Sequence, residues 1–130
     1  MIRVYNLHKE DHCSDENDFY IGRGSVLGNP YTHISDRKTL ATFVVKSRDE
    51  AIESYSHYFD IMYGSNVSFT NEIDKIYERY KEGKEVYLGC FCHPKSCHGD
   101  VIKEKLEKRL IKEKINEIKN KKENGSRLNG

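Results

Sequence analysis

The chain reads as an α/β domain: one small unit with a largely parallel sheet, flanking helices and a long C-terminal helix. Three observations predict this. A short β-rich run opens the chain at residues 2–7. A second run, Glu85-Val86-Tyr87-Leu88-Gly89-Cys90-Phe91-Cys92, is apolar on both faces, as a central strand covered on both sides would be. Helical periodicity occupies much of the sequence between and after them. A length of 130 residues suits one domain, which we place at residues 1–119, followed by a disordered basic tail at 120–130.

In the first strand Ile2, Val4 and Asn6 alternate with Arg3, Tyr5 and Leu7. Residues 8–18 are dense in charge, lack an apolar period and contain His12-Cys13, which argues for a surface loop. Phe19-Tyr20-Ile21 then leads into Gly22-Arg23-Gly24-Ser25-Val26-Leu27-Gly28-Asn29-Pro30-Tyr31. Glycines at this density let backbone N–H groups converge on an anion, and Arg23 adds a planar donor for phosphate or carboxylate. The spacing is neither the dinucleotide fingerprint nor a P-loop, and a tight turn needing positive φ is the competing account.

Thr39 to Val45 reads as a short strand or extended edge. Ser47-Arg48-Asp49-Glu50 is a capping-box pattern that opens a helix with Ile52, Tyr55, Phe59 and Met62 on one face. Phe69, Ile73, Ile76, Tyr77 and Tyr80 mark a second helix, closed by Gly83. From Cys97 a third helix runs through Val101, Ile102, Leu106 and Leu110, whereas Ile111, Ile115 and Ile118 form a second apolar stripe turned away from the first. One small core cannot bury both, so the later stripe is expected to pack elsewhere, including self-association through this helix.

Composition narrows the function classes. No apolar run approaches a membrane span and the first residues lack a signal-peptide core, so an intracellular, cytoplasmic protein is expected, with reduced thiols rather than disulfides. Net charge is +1, but residues 103–130 carry ten Lys/Arg against five Asp/Glu. No aromatic residues are interleaved with that charge, so a solvated helix face fits better than a nucleic-acid surface.

Three of the four cysteines and two of the six histidines fall between Gly89 and Asp100. Cys90 and Cys92, two apart in a strand, project to the same face. With Ser96 as N-cap, Cys97, His98 and Gly99 would occupy the first turn of a helix, where N–H groups and the dipole favour an anion or a thiolate, and Cys97 is the sulfur expected to ionise most readily. Three readings stand side by side. The cluster is a wall of a ligand pocket, with Cys97, His98 and Asp100 as catalytic groups; or Cys90, Cys92, Cys97 and His98 bind zinc, with His12-Cys13 as another source of a ligand; or the cysteines are small buried residues. Cys-x-Cys followed by an adjacent Cys-His is cramped for tetrahedral closure, which favours the pocket and no metal cofactor.

The segments Tyr20–Tyr31 and Gly89–Val101, with the helix between them, resemble the domain of unknown function family numbered 4326, met in bacteria and many of their phages. The resemblance spans about Tyr20 to Leu106 and implies a small α/β domain without implying an activity. Phe91 stands where that family often has Trp. The Cys…Pro-x-x-Cys-His part also resembles a second uncharacterised family, in which the position of Cys92 is commonly acidic, a departure that speaks against a zinc thiolate there. Size and Lys/Asn-rich composition would suit a phage-encoded protein acting in the host cytoplasm.

The expectation is therefore a pocket for a nucleotide-like or phosphate-bearing small molecule. Gly22, Arg23, Gly24, Ser25, Gly28, Asn29, Pro30, Cys90, Cys92 and Gly99 would form it, and chemistry would fall at a ribose or phosphate. The leaning is to a hydrolase or transferase. The alternatives are a non-catalytic, nucleotide-sequestering anti-defence protein and a zinc-binding structural or interaction protein.

Overall fold

The computed structural model describes residues 1–7, 15–32, 43–91 and 97–128. Strand β1 (Ile2–Asn6) buries Ile2, Val4, Tyr5 and Asn6 and leaves Arg3 in solvent. Strand β2 (Asp18–Tyr20) follows, and β3 (Tyr31–Thr32) and β4 (Phe43–Val44) form a separate parallel pair. Residues 39–42 of the strand expected at Thr39–Val45 lie outside the described residues. Helices α1 (Arg48–Met62) and α2 (Val67–Lys81) precede β5 (Val86–Cys90), and α3 (His98–Leu128) closes the chain, its backbone helical past Asn120.

The helices begin and end where local chemistry says they should. Ser47 caps α1 by accepting the Glu50 N–H at 3.1 Å, while the Glu50 carboxylate reaches back to the Lys46 N–H at 3.0 Å. Asn66 caps α2 through the Phe69 N–H at 3.0 Å. Gly83, at φ +86°, ends α2 with bonds from its own N–H to Tyr80 O (3.0 Å) and from Lys84 N–H to Arg79 O (3.1 Å). That pair is a Schellman closure, and a side chain at Gly83 would be strained in the left-handed region.

The main sheet has the order β1-β5-β2, both neighbours parallel to β5. Pairing runs from Ile2 opposite Val86 to Asn6 opposite Cys90 on one side, and from Asp18 opposite Tyr87 to Tyr20 opposite Gly89 on the other. On the central strand β5 the face formed by Val86, Leu88 and Cys90 is sealed, each at most 1% exposed, while on the other face Gly89 is buried and Tyr87 is half-buried. Helix α3 packs on β1 and α1, and α2 packs on β5. Phe59, Phe69, Ile73, Ile76, Ile102 and Leu106 join the inward strand residues in one core.

A polar clamp fastens the helices at the side of this core. Arg109 lies over the Tyr77 ring at 3.9 Å, donates to the Tyr63 hydroxyl at 2.9 Å and pairs with Asp74 and Glu113. The Tyr77 hydroxyl donates to the same Glu113 carboxylate at 2.5 Å. Burial, with Glu113 beside it, pushes the Tyr77 phenol up to about 12. Beyond this clamp Ile111, Ile115 and Ile118 are exposed, as their separate stripe requires. Among the described residues no helix is long and apolar enough to cross a membrane.

Candidate functional site

Three parallel strands deliver their carboxyl ends to one edge, and the two segments singled out in the sequence leave from there. The Ile21 N–H bonds Gly89 O at 3.0 Å, extending β2 by one residue before the glycine loop begins. Leu7 N–H bonds Cys90 O at 2.9 Å beside it. Parallel sheets commonly hold ligands at this edge, because the loops that leave the strands converge there.

The glycine loop is two consecutive turns. Ser25 N–H bonds Gly22 O and Gly28 N–H bonds Ser25 O, each at 3.1 Å, and the Ser25 hydroxyl also donates to Gly22 O at 2.6 Å. Gly24, at φ +92°, supplies the left-handed residue of the first turn. Gly28 is required by space: a Cβ there would meet Gly22 O at 2.9 Å and the Arg23 Cα at 3.1 Å. Pro30 O accepts the Phe43 N–H at 2.9 Å. The buried Asn29 amide is committed internally, donating to Ala51 O at 3.2 Å and accepting the Tyr31 N–H at 2.9 Å. Arg23 differs from all of these. It is exposed, and among the described residues its guanidinium makes one bond, to Tyr31 O at 3.0 Å.

Opposite the loop, α3 starts at His98, one residue later than a Ser96 cap would place it; Ser96 itself lies outside the described residues. Cys97 is the cap. Its sulfur accepts the Gly99 N–H at 3.3 Å, and Asp100 reaches back to the Cys97 N–H at 3.1 Å. Cys97-x-x-Asp100 is thus a capping box with a thiol in place of the hydroxyl, a spacing visible in the sequence once sulfur is admitted as an acceptor. These bonds occupy helix-start amides that the sequence reading offered to a phosphate. Asp100 is turned to this task and is otherwise exposed.

His98 joins the two walls. The residue is 6% exposed, its Nε2 bonds Ile21 O, and Tyr55 meets its ring edge-on at 5.0 Å. Burial lowers its pKa to about 4; the Arg23 charge pulls the same way, while the Ile21 carbonyl and Asp100 oppose. The ring is therefore neutral near pH 7 and Nε2–H is the donor to Ile21. Tyr55, fully buried, donates its hydroxyl to Leu27 O at 2.8 Å, and burial raises its phenol far above the ordinary range. Periodicity marked Tyr55 only as a core residue, and its hold on the loop depends on a partner 28 positions away. Asn6 was equally silent in the sequence; it is 2% exposed and donates to Phe91 O at 3.0 Å, holding the chain as it leaves β5.

Gly99 packs against the floor of the junction. A Cβ there would meet Ile21 Cδ1 at 2.8 Å, Val4 Cγ1 at 3.1 Å and Cys97 Sγ at 3.2 Å. Cys90 and Cys97 are both buried, with their sulfurs 3.5 Å apart. Cys92 and the His12-Cys13 pair lie outside the described residues. Among the described residues no group of three or more His, Cys, Asp or Glu side chains could hold a metal ion. Of the candidate zinc ligands, the Cys90 and Cys97 thiols adjoin, whereas the His98 Nε2 is given to Ile21.

A family model described as a domain of unknown function, DUF4326, matches residues 5–108. No curated protein and no solved structure matches the chain.

Proposed function

The chain belongs to the DUF4326 family, whose match takes in both segments of the site, and we propose that this edge binds a phosphate-bearing, nucleotide-like small molecule and acts at its ribose or phosphate. The observation that carries the reading is the His98–Ile21 bond, which fastens the glycine loop to the cysteine segment at the carboxyl edge of the strands. Arg23 would hold the anion, since its guanidinium is exposed and, among the described residues, bonded only to Tyr31 O. Cys97 would be the nucleophile. With its pKa near 4 and Nε2 engaged, His98 acts as a positioning residue and not as an imidazolium acid at neutral pH.

The test is a thermal-shift panel of nucleoside mono- and diphosphates, with inorganic phosphate and free nucleosides as references, followed by product analysis of any binder. Stabilisation by phosphate-bearing members that Arg23→Ala removes, with turnover lost in Cys97→Ala while the shift persists, is the expected result. Binding without turnover in the unaltered protein would replace catalysis by sequestration, the anti-defence reading of a phage-encoded protein in a host cytoplasm. No shift with any member would sink both.

A second reading has one favourable observation: the Cys90–Cys97 separation of 3.5 Å is near the edge of a tetrahedral zinc–thiolate site, about 3.8 Å for zinc–sulfur bonds of about 2.3 Å. Elemental analysis of protein purified without chelator decides it; less than a tenth of an equivalent of metal removes it.

A further inference from the structure

We propose that Cys90 and Cys97 are a redox dithiol that closes to an intramolecular disulfide when it meets a low-molecular-weight disulfide such as oxidised glutathione. Their sulfurs are 3.5 Å apart, and a bonded pair is about 2.05 Å apart, so closure takes up about 1.5 Å, a displacement within the swing of two side chains. The two residues sit on different elements, the last position of β5 and the cap of α3. A bond between them would staple strand to helix across the start of the candidate site. The inference concerns the thiols alone and does not depend on what the site binds.

The order of events follows from the cap. Cys97 Sγ accepts the Gly99 N–H, a bond that a thiolate accepts more strongly than a thiol, so Cys97 is the attacking sulfur. Its thiolate attacks one sulfur of the oxidant, forming a mixed disulfide and expelling one small thiolate, which takes up a proton. The Cys90 thiol then gives up its proton, and its sulfur attacks Cys97 Sγ, breaking the mixed disulfide and releasing the second small thiolate. Two protein thiols are oxidised, one small disulfide is reduced to two thiols, and the two protein protons end on them.

Cys97 is 3% exposed and Cys90 1%, so the first attack requires the cap to open. Helix ends open locally at far lower cost than global unfolding. Asp100 holds this one shut through the Cys97 N–H. Loss of that bond in Asp100→Ala should speed disulfide formation about tenfold, in line with the usual worth of a helix cap.

The test equilibrates the full chain in glutathione buffers of graded ratio, traps remaining thiols with a maleimide, and maps the link by fragment-ion mass spectrometry. The expected product is a Cys90–Cys97 disulfide, formed at a ratio about tenfold more reducing than in the urea-unfolded chain, and formed equally in Cys92→Ser. If Cys92→Ser does not fold, the fragment ions of the unaltered chain make the same assignment. A link that uses Cys92 instead, a ratio no different from that of the unfolded chain, or stoichiometric zinc on the thiols would each overturn the proposal.

Discussion

Replacing Gly28 by Ala tests the geometry of the glycine loop most directly. The added Cβ would come within 2.9 Å of Gly22 O, 3.1 Å of the Arg23 Cα and 3.2 Å of Ser25 O. All three are backbone atoms of the same loop, so no change of rotamer relieves the contact. The loop has to open by several tenths of an ångström, weakening the Gly28 N–H bond to Ser25 O. Leu27 cannot follow freely, because it is 1% exposed and its carbonyl is held by Tyr55. Overpacking of this kind costs about 1–3 kcal/mol, and the reduced freedom of the unfolded chain returns about 0.4–1 kcal/mol, leaving a loss of about 1.3 kcal/mol at the middle of both ranges. For a chain of this size that lowers Tm by roughly 3–10 °C. Gly22→Ala is the control. Its Cβ would strike the Tyr20 ring, but Tyr20 is 46% exposed and can swing into solvent, giving up its hydroxyl bond to Arg23 O. That costs about 1 kcal/mol or less. Calorimetry of both variants decides the matter: if Gly28→Ala melts within a degree of the unaltered chain, or loses less than Gly22→Ala, backbone crowding is not what demands glycine at position 28.

Other outcomes follow from the same structure. His98 takes a proton near pH 6.5 when unfolded and near pH 4 when folded, so its contribution to stability is complete above the first value and is lost as pH falls through the second. At most about 3 kcal/mol is at stake, and urea unfolding between pH 7 and pH 4 should show a shallower pH slope in His98→Gln; equal slopes would contradict the burial argument. Tyr77→Phe keeps the ring beneath Arg109 and loses the bond to Glu113, which should cost about 1 kcal/mol by urea unfolding, and no change would mean the clamp is not a stabilising contact. Gly99→Ala faces two stiff buried side chains, Ile21 and Val4, and should lower Tm by several degrees, with the proton resonance of His98 shifting as the Ile21 bond lengthens. Ile115→Lys with Ile118→Lys alters exposed positions and should leave Tm unchanged while abolishing any self-association seen by sedimentation; a chain that sediments as a 15.2 kDa monomer before substitution refutes the helix-mediated assembly.

How much was legible in the sequence depended on the length over which each signal repeats. The apolar run at 85–92, the alternation at 2–7 and three helical stripes each persist over several residues, and each gave its element within a few positions, except that α3 runs to Leu128, past the end expected at 119. Strands β2 and β3, of three and two residues, are too short to carry a period, and they exist because neighbours already in place offer hydrogen bonds. A Ser96 cap would start α3 at Cys97, whereas the helix starts at His98 because Cys97 itself caps it through sulfur, a weaker acceptor than the serine hydroxyl that local preference favours.

Local chemistry therefore determined the fold class, the helix ends and the two segments where polar and reactive groups concentrate. It could not determine which of those groups remain available. Ser25, Asn29 and Asp100 all look like ligand groups in the sequence, yet each is bound to the protein's own backbone. Only the tertiary structure sets the 77-residue span between Ile21 and His98 to a single hydrogen bond, and only burial there makes the imidazole neutral. A buried polar atom takes whichever partner the fold brings to it, because leaving it unpaired costs more than any local preference, and that partner is decided by packing rather than by neighbours in sequence.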